Sequence, residues 1–166
     1  LAGAAGQAVE ARNFSVKVGK LKLAHAYLLD PRTRNGAPRT LKADGIWMSA
    51  LAEVGVTQAN GYVGAQLRAR DGRVYRAAPA GRPDLGGFNL TDMYLVTGLP
   101  AKGAYFFDVP VEALEGAHLQ FYSGNGAPGQ LDHLVDIDVG LDAAQVAALH
   151  DAATPVLDLR TPEPTP

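Results

Sequence analysis

Between Ile46 and Val56 every even position is apolar: Ile46, Met48, Ala50, Ala52, Val54 and Val56. The odd positions carry Ser49, Glu53 and Gly55, and only Trp47 and Leu51 break the rule. Successive side chains of a strand point to opposite faces, so a period of two describes a β-strand with one face in a core; a helix would wind the same residues around its circumference. Ala59-Asn60-Gly61 then supplies turn chemistry, because Asn-Gly tolerates the positive φ of a tight hairpin. Beyond it Val63, Ala65, Leu67 and Ala69 share one parity while Gln66, Arg68 and Arg70 share the other. The spacing predicts a hairpin at the centre of a β core, spanning 44–76 and closed by a second turn pair at Asp71-Gly72.

The same reading extends along the chain. Phe14, Val16 and Val18 alternate with Ser15 and Lys17, Gly19-Lys20 reads as a turn, and Leu21, Leu23, Tyr27 and Leu29 resume one parity that His25 shares. Residues 30–43 are rich in Pro, Gly and charge, which predicts a long loop. Residues 77–91 read as irregular, and 92–96 as a candidate strand. The aromatic run Tyr105-Phe106-Phe107 ends at Pro110, as a strand leaving a sheet edge does. Leu119 and Phe121 alternate within 118–122, and Val135, Ile137 and Val139 alternate with Asp136 and Asp138. After Gly140 the period changes, and Asp142 is placed to cap a short helix over 143–149. The TPEPTP ending is polyproline-like and cannot join a helix or a central strand. About seven or eight short strands with almost no helix predict an all-β fold, an antiparallel two-sheet sandwich, with a small barrel as the rival. The expected organisation is a flexible lead-in over 1–12, the sandwich over 13–140, and a short helix with a Pro-rich tail over 141–166. Trp47, on the polar parity, is expected to cover one end of the core, with an exposed patch as the other option.

Composition removes several function classes. There is no cysteine, which excludes disulfides, thiolate metal sites and cysteine nucleophiles. A net charge of −2 gives no electrostatic ground for binding nucleic acid, and the arginines of 32–39 and 68–76 read as solvated surface. No apolar run is long enough to span a bilayer. Leu1–Gly6 is small, apolar and uncharged, as the segment following an export signal would be; Ala4 stands where a lipobox requires cysteine, so lipidation is not supported.

Chemistry is sparse. Asp132, Asp136, Asp138 and Asp142 form the densest acidic cluster, and Asp136 and Asp138 point to one face of a strand, where two carboxylates suit a hard cation. With His133 they are the candidate metal ligands, although no glycine-centred calcium loop accompanies them and same-face acids are commonplace on a solvated strand. His118, His133 and His150 match no metal spacing, and His25 reads as a half-buried, hydrogen-bonded histidine with no second ligand near it in sequence. No serine sits in a Gly-x-Ser-x-Gly frame and no glycine-rich phosphate loop is present. Nothing nominates a glycosidase pair, so no catalytic residue, cofactor or enzyme activity is expected. Asn13-Phe14-Ser15 and Asn89-Leu90-Thr91 match the glycosylation sequon, a pattern frequent by chance.

Three features together resemble a family of exported bacterial immunoglobulin-like β-sandwiches of unknown function, similar to the secreted immunoprotective antigens of mycobacteria. They are the Trp47-bearing strand, the Asp71-Gly72-x-x-Tyr75 turn and the Phe107-Asp108-Val109 strand after a Gly/Pro loop. The pattern covers about residues 10–140. The resemblance implies an immunoglobulin-like fold, a secreted or cell-envelope location and no catalytic residues. The expected role is a non-catalytic interaction or accessory module whose partner is another protein or an envelope component. A small-ligand or metal-binding carrier is the alternative. Partner, ligand and oligomeric state are not legible in the residues.

Overall fold

The computed structural model describes residues 1–77, 89–124 and 134–160. Among them are ten strands: β1 (Ala2–Ala4), β2 (Ala8–Glu10), β3 (Phe14–Leu29), β4 (Arg39–Val56), β5 (Val63–Arg68), β6 (Val74–Arg76), β7 (Ala101–Val109), β8 (His118–Ser123), β9 (Val135–Asp138) and β10 (Thr154–Asp158). One α-helix, α1 (Ala143–Asp151), and two short 3-10 turns complete them. Sheet I runs β1-β9-β8-β5-β6 and sheet II runs β10-β3-β4-β7, with β2 pairing the start of β3. All pairs are antiparallel except β1 with β9 and β10 with β3. This is the expected all-β two-sheet sandwich.

The alternation places the core as predicted. Met48, Ala50, Ala52, Val54 and Val56 face Val63, Ala65 and Leu67 across the sandwich, joined by Phe14, Val16, Tyr105, Phe107, Leu119, Phe121, Val135 and Ile137. The Tyr105 hydroxyl donates to the Val63 carbonyl at 2.7 Å, tying the sheets together inside that core. Burial raises the Tyr105 pKa far above the tyrosine range, so the hydroxyl stays a donor.

Several expectations are corrected. β4 and β5 share a core but not a ladder: β4 pairs with β3 and β7, whereas β5 pairs with β6 and β8. Asn60-Gly61 therefore carries the chain from one sheet to the other. Alternation reports which face is buried and is blind to which strand lies alongside. The second turn pair does close a hairpin: Gly72, with φ of 89°, sits between β5 and β6, and the Asp71 carboxylate accepts from the Arg73 N–H at 3.0 Å. Gly19-Lys20 is a bulge within one continuous strand, since the β3/β4 register shifts between Val18 and Leu21. The loop expected over 30–43 shortens to 30–38, because Arg39–Lys42 pair with Ala26–Leu29 in a long β3–β4 arm. Leu90–Asp92 is a 3-10 turn capped by Asn89, in place of part of the strand expected at 92–96. The lead-in expected to be flexible contains β1 and β2, each held by backbone pairing.

Helix α1 begins where capping chemistry puts it. The Asp142 carboxylate accepts from the Gln145 N–H at 2.8 Å while the Gln145 side chain accepts from the Asp142 N–H at 2.9 Å. Val146 anchors the helix in the core. Thr154–Asp158 then returns along the edge of sheet II, the position open to a strand carrying proline.

Sheet II is apolar on its outer side as well. Tyr27, Trp47, Ala104, Phe106 and Leu159 form a second buried cluster there, with Leu41 and Leu157 packed against it. Trp47 is fully buried, stacks on Tyr27 at 4.9 Å and donates from Nε1 to the Leu41 carbonyl at 3.1 Å. Neither position anticipated for it holds: Trp47 is the centre of a second buried cluster on the outer side of sheet II, with Leu157 and Leu159 of the C-terminal segment at the sheet edge packed into it.

Candidate functional site

Asp136 is the most highly connected of the candidate ligands. On the outer face of sheet I it accepts from Gln120 Nε2 at 2.9 Å, lies 3.5 Å from the Arg68 guanidinium and meets His118 Nδ1 at 2.5 Å. Gln66 extends the row by donating to Gln120 Oε1 at 2.8 Å. These residues come from β5, β8 and β9 in register, so the outward parity of three neighbouring strands places them side by side. Both Asp136 oxygens are already engaged by protein donors, and Asp138 accepts from the Gly140 N–H at 2.8 Å. His133 and Asp132 lie outside the described residues. Among the described residues no three metal-ligating side chains come together.

Desolvation works to raise the Asp136 pKa, but hydrogen bonds from Gln120 and His118 and the charges of His118 and Arg68 outweigh it and hold the carboxyl below its usual range. A carboxyl depressed on folding stabilises the native state above its unfolded pKa, about 3.9. That contribution fades as pH falls through the folded value. Asp136→Asn is expected to lose about 1–2 kcal/mol at pH 7, with the difference from wild type closing below pH 4. Urea unfolding at the two pH values measures this; a difference independent of pH would show that the charge is not the origin.

The remaining histidines are arranged as the sequence did not suggest. His25 on β3 and His150 near the end of α1 approach with ring centroids 5.9 Å apart, a juxtaposition made by the fold-back of the C-terminal segment. Both are exposed, which corrects the half-buried reading of His25. Among the described residues no hydroxyl is hydrogen-bonded to a histidine, the contact a serine nucleophile needs. Neither sequon asparagine is free: Asn89 is buried and caps a 3-10 turn, and Asn13 accepts from the Gln58 and Ala59 N–H groups.

Two surfaces missed in the sequence stand out. At one end of the sandwich Tyr94, Val96 and Leu99 are 58%, 42% and 66% exposed. Tyr62 meets Tyr94 edge to face at 5.5 Å. The segment is ordered by Asn60, whose side chain accepts from the Thr97 N–H at 2.8 Å and hydroxyl at 3.0 Å, and by a turn at Gly98 with φ of 83°. The second surface is an open groove of about 480 Å³ between the outer face of sheet II and the α1–β10 segment. Short apolar runs in loops resemble core strands in sequence, so periodicity gave no sign of either.

No family model and no curated protein matches this chain. Solved structures are similar to it in fold. MPT63, a secreted protein of Mycobacterium tuberculosis, aligns with a TM-score of 0.52 and 17% identity over 83% of this chain and 96% of its own. The yjhA protein of Bacillus subtilis aligns with a TM-score of 0.49 and 16% identity, over 81% of this chain and 99% of its own. An uncharacterized β-sandwich protein of Clostridium difficile aligns with a TM-score of 0.47 and 10% identity, over 82% and 92%. At such identities the likeness concerns the β-sandwich fold alone.

Proposed function

We propose that this chain is a non-catalytic, immunoglobulin-like β-sandwich that works outside the cytoplasm, secreted or at the cell envelope, as an interaction module for another protein or an envelope component. The observation that carries the reading is the apolar loop end, where Tyr94, Val96 and Leu99 are held in water by an ordered turn. A folded chain gains nothing for its own stability from three exposed hydrophobic side chains in a fixed array, and such patches mark contact surfaces. Loops at the end of a β-sandwich are a common place for recognition, since the scaffold fixes them. The fold likeness to a secreted mycobacterial protein supports the location, and no helix among the described residues is long and apolar enough to cross a membrane.

The test uses photo-crosslinking residues placed at Leu99 and, as a control, at the exposed Lys42. A specific adduct from envelope extract is expected at position 99 only, and Tyr94→Ser with Leu99→Ser should reduce its yield at least tenfold. Being exposed, both substitutions should change stability by about 0.5 kcal/mol or less each. Equal adducts at both positions, or the native protein found wholly in cytosol after fractionation, would sink the reading.

A further inference from the structure

We infer that the groove on the outer face of sheet II is a binding site for a single-chain anionic amphiphile, an acyl chain ending in a carboxylate. The inference is independent of the loop end and rests on shape, lining and charge. The floor is the second core layer, where Phe106 and Leu51 face outward from β7 and β4, and Leu149 of α1 and Leu157 of β10 form the wall. Its volume, about 480 Å³, falls within the range of small-molecule sites, roughly 300–1,000 Å³. Leu51, half exposed, also lines a second groove of about 490 Å³ that continues along Ala52 and Gly103. The two make one elongated apolar track, a shape suited to a chain and not to a compact ring.

Charge along the track is one-sided. Lys20 and Lys22 stand at the rim of the first groove and Lys17 and Lys102 beside the second. The lone carboxylate along it, Glu53, lies 3.8 Å from Lys102. Lys17, Lys20 and Lys22 make no ion pair among the described residues, and the bulge at Gly19-Lys20 is what places Lys20 beside the apolar floor. Within the groove Ser49 offers a hydroxyl whose bond to the Lys22 carbonyl is a long 3.4 Å. The Tyr27 hydroxyl is buried beside Ser49, its neighbour in the layer below. An apolar track with unpaired ammonium groups and a hydroxyl at one end complements an acyl carboxylate. It does not complement a neutral lipid or a cation.

Trp47 is the single tryptophan of the chain and lies in the layer beneath the groove, so its fluorescence reads occupancy directly. Myristate, titrated below its micelle concentration, is expected to bind one per chain with a saturable change in Trp47 emission, confirmed by calorimetry. Tetradecanol, of equal chain length, should bind at least tenfold more weakly. The variant K20E/K22E should lose at least tenfold in myristate affinity and leave tetradecanol unchanged, while Leu51→Asp should weaken both. These lysines and Leu51 are exposed, so retained circular dichroism and melting temperature will show that the variants fold. Absence of saturable myristate binding overturns the inference. So do equal affinities for acid and alcohol, or a concentration-dependent dimer that excludes myristate, which would give the face to a second copy of the chain.

Discussion

Replacing Trp47 by alanine is expected to destabilise the protein by about 3–5 kcal/mol, the range for deleting a large buried aromatic. Such a loss is a large fraction of the total stability of a domain, about 5–15 kcal/mol. Three losses coincide: the stack on Tyr27 at 4.9 Å, the volume beneath Phe106 and Leu159, and the Nε1 bond to the Leu41 carbonyl. In a chain of this length a loss of that size lowers Tm by roughly 6–20 °C. Trp47→Phe keeps much of the stack and only orphans the carbonyl, so about 1–3 kcal/mol is expected. Hydrogen exchange should localise the damage: amides of β10, the edge strand whose Leu157 packs against this cluster, open sooner than those of β8 in sheet I. A Trp47→Ala variant within about 0.5 kcal/mol of wild type, the usual effect of a surface change, would mean that the outer face of sheet II is not a packed layer.

Gly45→Ala is expected to cost about 2–3 kcal/mol, as overpacking against an unyielding neighbour does. A Cβ at position 45 would stand 2.3 Å from the Val109 carbonyl oxygen and 2.7 Å from its carbon. Both are backbone atoms of the neighbouring strand, so β4 and β7 must part to admit the methyl. The site has a local cause. The β3/β4 register shift between Ala24 and Ala26 leaves Asp44 and Gly45 without partners in β3, and their N–H groups donate instead to the Asp108 carboxylate at 2.9 and 3.0 Å. Asp108→Ala should cost about 1–2 kcal/mol through those donors. The double variant is expected to fall short of the sum, since both changes loosen the same contact. Gly19→Ala is the control: its Cβ would meet nothing nearer than 3.6 Å, so denaturant midpoints should barely move. Similar losses at Gly45 and Gly19 would refute the steric account.

Asp108 also shows where local reading stops. In the sequence, Phe107-Asp108-Val109 is a strand fragment shared with a resembled family, and the acid looks like ordinary outward polarity. Its work is to terminate two N–H groups sixty-odd positions earlier in the chain, which no spacing rule connects. The candidate metal pair fails to foretell its surroundings for the same reason. Asp136 and Asp138 do alternate with buried Val135 and Ile137, but the Gln120, His118 and Arg68 that claim Asp136 arrive from other strands. The groove was less visible still. Leu149 and Leu157 are unremarkable in a short helix and a proline-bearing segment until both fold against Leu51 and Phe106.

The alternation from Ile46 to Val56, by itself, determined that this stretch is a strand and which of its faces enters the core; seven or eight such stretches with almost no helix pointed to a two-sheet sandwich, with a small barrel as the rival. Period-two burial is a local property, written residue by residue. The Asp71-Gly72 turn and the Asp142 cap were legible on the same ground, since each is satisfied within a few residues. Which strands lie side by side, that Asn60-Gly61 crosses between sheets, and that Trp47 centres a second buried cluster were decided only by the tertiary structure. Pairing and coverage depend on chain segments distant in sequence, and their free energy appears only once those segments are brought together.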